Sequence, residues 1–292
     1  MRDAILPAFR KRWQRDHNEK VEFVTTYAGS GEITKRIIKK YPAQIAIVTS
    51  ELDAYELPTP WRSWTKLPRE GILASTPMVI VVREGNPKQI GDFDDLARPG
   101  IQIVTGDPVT SGGANLAILA EYESARRQTG RPDRVFEQLV GIWRNVTLRV
   151  PSAREARLRF DKGEAEVLIT YEHDVIGSPL TQHIRGEIIY PRCTLLAQPI
   201  VVKIDNNIER GEQPLIDAFV QFLWSREAQQ LLVDYGFRSE NVALNASNPK
   251  FGVIPAPVTL TDLGKPAEVR REILEGIWQH KILPQLPHQT NP

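Results

Sequence analysis

The chain has 292 residues, which is long enough for two domains of ordinary size. Its 25% of charged and 41% of hydrophobic residues are typical of a soluble globular protein, and a net charge of +1 without a segment rich in Lys and Arg argues against nucleic acid as a partner. Cys193 is the sole cysteine, so an intrachain disulfide and a zinc site built from several cysteines are both excluded.

The first 50 residues alternate between strand and helix patterns. Residues 20–27 (KVEFVTTY) and 43–50 (AQIAIVTS) are predicted strands, and residues 31–41 (GEITKRIIKKY) are a predicted helix. The strand-helix-strand order favours a parallel sheet and an α/β fold. The apolar residues expected on the inner face of the helix are Ile33, Ile37 and Ile38.

The rest of the chain continues this alternation. The pattern predicts strands within residues 76–87 and 101–108, a helix at 135–146, a turn, helix and strand over 150–174, and a strand at 195–204. Residues 214–235 are predicted to form the longest helix, which Pro214 opens and Gly236 closes.

Two breaks in the pattern suggest two lobes. Residues 83–87 (REGNP) and 196–199 (LAQP) each lie beside an apolar strand, as chain crossings between lobes would. We therefore expect lobe I to comprise residues 1–82 and 200–292, and lobe II residues 83–199. A small ligand would bind between the lobes, at helix N-termini beyond the strand ends.

The segment at 106–122 (GDPVTSGGANLAILAEY) predicts an anion site at a helix start near Gly113. The first amides of a helix lack intrahelical partners and carry partial positive charge, while Ser111 and the glycines add a donor and close access. An ordinary Ser/Thr N-cap explains the same residues. Similar starts at Ser30 and Ser152 could converge with this one on a single anion.

The segment at 83–104 (REGNPKQIGDFDDLARPGIQIV), followed by TSGGA at 110–114, closely resembles the sulfate/thiosulfate-binding proteins of bacterial ABC importers. The segments at 28–31 (AGSG), 151–156 (PSAREA) and 235–241 (YGFRSEN) are similar to other parts of the same family. The resemblance extends over nearly the whole chain.

This resemblance implies a type II periplasmic-binding-protein fold, in which two α/β lobes with mainly parallel sheets are joined by a hinge. It implies a binding protein that is not an enzyme, needs no cofactor or metal, acts as a monomer, and delivers a tetrahedral oxyanion to ABC permease subunits. The anion would be held by neutral donors, which suits sulfate because this dianion has no proton to donate. The implied contacts are Ser30, the Ser111 hydroxyl, and the amides of Gly112, Gly113 and Ala153.

One site position departs from the sulfate type. Tyr171 stands where the sulfate family usually has a tryptophan donor, and a tyrosine there is similar to molybdate- and tungstate-binding proteins. Tyr171 completes the predicted ligand-binding set, and molybdate or tungstate is the alternative ligand. Asp107, four residues before Ser111, is the acidic residue that could act as an unwanted acceptor beside the predicted cage.

The start of the chain also departs from the family. No apolar run approaches the ~20 residues of a membrane span, and the charged first 20 residues are not a secretory signal. Met1 aligns just past the family's first strand, so we expect a periplasmic protein whose signal and first strand lie upstream of the given sequence. A cytosolic oxyanion sensor is the alternative that an absent signal would favour.

Other candidate sites are weaker. A hydrolase built on Ser111 would need a nucleophile elbow and a nearby histidine, and the sequence shows neither. Glu172 and Asp174 beside Tyr171 are assigned to lobe packing or transporter contact. The histidines show no metal-binding spacing: His17, His173, His183, His280 and His288.

Overall fold

The computed structural model describes residues 1–58, 63–177, 184 and 186–286. Helices and strands alternate along these residues. The helices are α1 (Ile5–His17), α2 (Ser30–Ile38), α3 (Glu51–Ala54), α4 (Gly112–Thr129), α5 (Pro132–Arg144), α6 (Ala153–Asp161), α7 (Glu172–Ile176), α8 (Gln213–Leu223), α9 (Arg226–Asp234), α10 (Val242–Asn245), α11 (Leu260–Leu263), α12 (Pro266–Val269) and a π-helical segment (Arg270–Ile282). The strands are β1 (Ile45–Val48), β2 (Thr76–Val82), β3 (Ile103–Gly106), β4 (Val146–Val150), β5 (Val167–Tyr171), β6 (Glu187–Ile189), β7 (Cys193–Ala197), β8 (Ile200–Lys203) and β9 (Ala256–Val258).

A small body forms around β1 and β8, which pair antiparallel with Ile45 opposite Lys203. Its core includes Phe9 of α1, whose ring lies 5.1 Å from that of Phe219 and 5.5 Å from that of Phe222, both in α8. A second part of the core packs Ile37 of α2 against the strands. Together with α9, these elements form the small-sheet body.

A larger body forms around a seven-stranded sheet in the described residues, with the order β4-β3-β5-β2-β7-β9 and β6 beside β2. Strand β3 runs parallel to β4 and β5, and β7 runs parallel to β9, whereas β2 is antiparallel to its neighbours. All seven residues of β2 are buried, because alternate side chains face two separate cores. Helices α4 and α5 cover one face of this large-sheet body, and α6 covers the other.

The α/β fold class is confirmed, and most predicted elements are present. The prediction of a strand at 20–27 is wrong: these residues form no helix or strand, and Val24 is 97% exposed. Strand-forming residues need a neighbouring strand, and propensity alone does not supply one. Ile38, expected to face inward, is 46% exposed, whereas Ile37 is buried.

The predicted long helix at 214–235 is instead two helices, α8 and α9. Ser225 caps α9 by accepting a hydrogen bond from the Ala228 amide at 3.2 Å, so a new helix begins there. The longest α-helix in the described residues is α4, with 18 residues.

Chain crossings between the two bodies occur at the ends of their strands. Gln198 and Pro199 separate β7 of the large sheet from β8 of the small one, at the predicted 196–199 break. Residues 83–87 stay within the large-sheet body, where Arg83 donates to the Phe160 carbonyl at 2.8 Å. Strands β2 and β9 lie in segments expected to form lobe I, yet both pair with strands from residues 83–199.

Within the described ranges, no helix combines the length and the hydropathy needed to cross a bilayer.

Candidate functional site

Helix α4 begins where the sequence predicts a helix start. Ser111 is its N-cap in extended backbone geometry, and its hydroxyl accepts a hydrogen bond from the Ala114 amide at 3.4 Å. The Ala114 amide also donates to the Ser111 carbonyl at 3.1 Å, so the amides of Gly112 and Gly113 precede the first turn's hydrogen bonds. Ser111, Gly112 and Gly113 are all buried.

Ser30, the first residue of α2, lies against the segment that leads into α4. The Ser30 hydroxyl lies 2.7 Å from that of Thr49 and accepts a hydrogen bond from the Thr49 amide at 2.9 Å. The neighbouring Gly29 packs so closely on the Thr110 carbonyl that any side chain at this position would collide with it. This contact joins the small-sheet and large-sheet bodies.

Helix α6 begins beside the same contact. The Thr110 hydroxyl donates to the Pro151 carbonyl at 3.0 Å, and Pro151 lies two residues before Ala153, the first residue of α6. The N-cap of α6 is Ser152, which accepts a hydrogen bond from the Glu155 amide at 3.2 Å. The structure thus brings together the segments that precede α2, α4 and α6.

Tyr171, at the end of β5, points its hydroxyl at the start of α4. A Cβ atom added to Gly113 would lie 2.6 Å from the Tyr171 hydroxyl oxygen, so only glycine leaves room for the ring. This hydroxyl is buried and has no hydrogen-bond partner among the described residues. Burial raises the pKa of the Tyr171 phenol more than the nearby Thr49 hydroxyl lowers it. The phenol is therefore a neutral donor. The junction formed by Ser30, Ser111, Gly112, Gly113 and Tyr171 is the cleft.

Asp53 in α3 is a residue of the cleft wall that the sequence reasoning missed. It is 3% exposed, and its carboxylate oxygens lie 2.9 and 3.0 Å from where a Cβ on Gly112 would be. Burial raises the pKa of Asp53 to about 7, with the charge of Glu56 adding to the shift and the Ser50 hydroxyl opposing it. The Ser50-x-x-Asp53 spacing at the end of β1 is a helix-start signal that could have drawn attention to it.

Asp107, the acidic residue weighed beside the predicted cage, is held within its own turn. Asp107 accepts a hydrogen bond from the Val109 amide at 2.8 Å within its own turn. In the part of the chain that the structure describes, no three His, Cys, Asp or Glu side chains are placed to share a metal ion. His183 and His288 lie outside the described residues.

Comparisons with known proteins agree with the resemblance seen in the sequence. The family model for bacterial extracellular solute-binding proteins matches residues 1–238. A sulfate-binding protein from Synechococcus elongatus is 32% identical over 96% of this chain and 82% of its own, and a thiosulfate-binding protein from Escherichia coli is 28% identical over 82% and 73%. The sulfate-binding protein SubI from Mycobacterium tuberculosis has 28% identity and a TM-score of 0.82, with 92% of this chain and 93% of that chain covered. The predicted family and the periplasmic-binding-protein fold are confirmed.

Proposed function

Because the chain belongs to the family of bacterial extracellular solute-binding proteins, we propose that it captures sulfate or thiosulfate and delivers it to the permease of an ABC importer. The observation that carries this proposal is the buried Tyr171 hydroxyl, which has no partner within the described ranges and faces the start of α4. A bound oxyanion would accept the hydrogen bond that this phenol lacks.

The proposed ligand contacts are all neutral donors. They are the hydroxyls of Ser30, Ser111 and Tyr171 and the amides of Gly112, Gly113 and Ala153. The helix starts at α2, α4 and α6 add partial positive charge. A dianion held in this way is stabilised without the desolvation of a buried counter-charge. The Asp53 carboxylate lies against Gly112, and its raised pKa of about 7 limits the negative charge that it carries at neutral pH.

The two bodies of the fold act as the two lobes. We place the first crossing just before β2 rather than at residues 83–87, because β2 belongs to the large sheet. Opening at the crossings admits the anion, and closure joins Ser30 of one lobe to the start of α4 in the other. A permease would recognise the closed form, in the periplasm, and the protein binds its ligand without converting it.

Molybdate or tungstate, suggested by Tyr171, is the less favoured ligand, since the relatives named above bear sulfate or thiosulfate in their names. Two further hypotheses, a cytosolic oxyanion sensor and a hydrolase built on Ser111, are not supported by the names of these relatives.

Calorimetric titration with sulfate, thiosulfate, molybdate and phosphate tests the proposal. We expect sulfate or thiosulfate to bind most tightly, and phosphate weakly, because protonated phosphate needs an acceptor. Failure of all four anions to bind would overturn the proposal, and preference for molybdate would favour the alternative.

If phosphate bound as tightly as sulfate, Asp53→Asn would test whether this carboxylate is the acceptor. Tyr171→Trp should shift the preference toward sulfate over molybdate.

A further inference from the structure

An ion pair whose carboxylate is fully buried lies directly behind the cleft. Glu172 follows Tyr171 and is 0% exposed. The Arg238 guanidinium donates from Nε to Glu172 Oε2 at 2.7 Å and from Nη2 to Oε1 at 2.6 Å. The Tyr190 hydroxyl donates to the same Oε1 at 2.6 Å. Both carboxylate oxygens of Glu172 therefore have strong donors.

Arg238 is itself held at the crossing between the two bodies. Its amide and carbonyl exchange hydrogen bonds of 2.8 Å with Ser75, the residue before β2. Its Nη2 also donates to the Gly252 carbonyl at 2.7 Å, and the Gly252 amide donates to the Tyr190 hydroxyl at 3.1 Å. Glu172, Tyr190, Arg238 and Gly252 form the hinge cluster.

The residue before Arg238 supports Tyr171 through a stack of rings. The Phe237 ring lies 3.9 Å from the His173 ring at an interplanar angle of 23°, and His173 lies 5.2 Å from the Tyr171 ring at 28°. The His173 amide donates to the Thr76 hydroxyl at 3.2 Å, which fixes the stack to the start of β2. Phe237 thus stacks on His173 and Arg238 pairs with Glu172, so each of the two residues that follow Tyr171 has a partner in this segment.

We propose that Glu172 and Arg238 are positioning residues for the oxyanion site, which fix the Tyr171 hydroxyl against the start of α4. This inference rests on the proposed function. A hydroxyl that is already held in place loses less conformational freedom when it binds an anion, so the hinge cluster raises affinity without touching the ligand. The pair also links the crossing at Ser75 to the cleft.

A double-mutant cycle between Glu172→Gln and Tyr171→Phe tests this role. Sulfate and thiosulfate dissociation constants are measured by calorimetry for the unchanged protein, both single variants and the double variant. We expect Glu172→Gln to weaken binding about tenfold, which corresponds to the loss of one hydrogen bond. In the Tyr171→Phe background the same change should alter the dissociation constant less than about twofold, because the hydroxyl that it positions is absent.

Two further variants serve as a control and a graded test. Glu240→Gln removes a partly exposed carboxylate that pairs with Arg69 at 3.2 Å, two residues from Arg238, and should leave affinity unchanged. Arg238→Lys loses the two parallel hydrogen bonds but keeps a positive charge opposite Glu172. Because this charge still holds the carboxylate, the variant should weaken binding less than Glu172→Gln does. If Glu172→Gln does not fold, Tyr190→Phe removes one bond to Glu172 and enters the same cycle.

The outcomes separate this inference from the proposed function. If neither sulfate nor thiosulfate binds the unchanged protein, the proposed function fails and the inference fails with it. If either anion binds but the effects of Glu172→Gln and Tyr171→Phe simply multiply, the inference is overturned and the ion pair only stabilises the fold. If Tyr171→Phe abolishes the effect of Glu172→Gln, the positioning role is established.

Discussion

The cleft and the hinge cluster each contain a buried polar group, but the two groups are satisfied in different ways. In the hinge cluster both oxygens of Glu172 accept hydrogen bonds from side chains of the protein. In the cleft the Tyr171 hydroxyl lacks a partner among the described residues. An unsatisfied buried polar group costs about 1–3 kcal/mol, so a ligand that pairs with it recovers that free energy. Polar groups that are paired within the protein stabilise the fold, whereas the unpaired Tyr171 hydroxyl is available to bind a ligand.

The largest effect should come from breaking the paired region. Glu172→Ala leaves the Arg238 guanidinium, 17% exposed, without its carboxylate. We expect the free energy of unfolding, measured by urea denaturation without ligand, to fall by about 3–5 kcal/mol, the usual cost of removing one partner from a buried ion pair. A loss below about 1 kcal/mol would show that Arg238 finds another partner or water, and the contrast with the cleft would disappear.

The unpaired region should respond in the opposite way. Tyr171→Phe keeps the ring and removes the hydroxyl, so we expect sulfate binding to weaken by about 1–3 kcal/mol, the cost of losing a hydrogen bond to a charged group. The free energy of unfolding without ligand should stay the same or rise, because the hydroxyl has no partner to lose in the described structure. Calorimetry and urea denaturation measure the two quantities. Unchanged affinity would show that the Tyr171 hydroxyl does not touch the anion.

The sequence predicts the cleft better than it predicts the hinge cluster, because of the distances involved. A helix start depends on a few consecutive residues. Ser111 and the two glycines after it therefore predict the start of α4 without knowledge of the rest of the fold. The family resemblance adds the prediction that three such starts share one ligand. The pairing of Glu172 with Arg238 joins residues 66 positions apart, and no local pattern indicates it.

Strand errors have a related physical cause. Residues 20–27 have the composition of a strand, but a strand also requires a neighbour to receive its backbone hydrogen bonds. The seven buried residues of β2 mark it as a strand with cores on both faces, yet its partners on either side come from distant segments. The lobe boundary expected after residue 82 fails to anticipate that pairing. No local pattern predicts the burial of Asp53, because it depends on the contact of Asp53 with Gly112 of the other body.

Glu121, in the middle of α4, differs from both regions, because it is a buried carboxylate with one paired and one unpaired oxygen. It is 0% exposed, and the Trp143 indole donates to its Oε2 at 2.8 Å. Its Oε1 has no hydrogen-bond partner among the described residues. Burial raises the pKa of Glu121 to about 8, and the bond from Trp143 only partly opposes this shift. Glu121 therefore tests whether an unpaired group outside the cleft affects stability alone.

The effect that depends most on pH should come from Glu121→Gln. The folded-state pKa of about 8 lies above the ordinary value of 4.5, so the contribution of Glu121 to stability is fully present below pH 4.5 and is lost as the pH rises toward 8. Glutamine does not titrate and can still accept the bond from Trp143. As the pH rises across this range, the free energy of unfolding of the unchanged protein should therefore fall, relative to that of the variant, by up to about 1.4 kcal/mol per pH unit. Urea denaturation at pH 5 and pH 8 measures this change, with Glu240→Gln as the partly exposed control and with sulfate affinity expected to be the same in both proteins. An equal difference in stability at the two pH values would show that Glu121 does not titrate in this range, and a change in sulfate affinity would show that unpaired groups outside the cleft also shape the site.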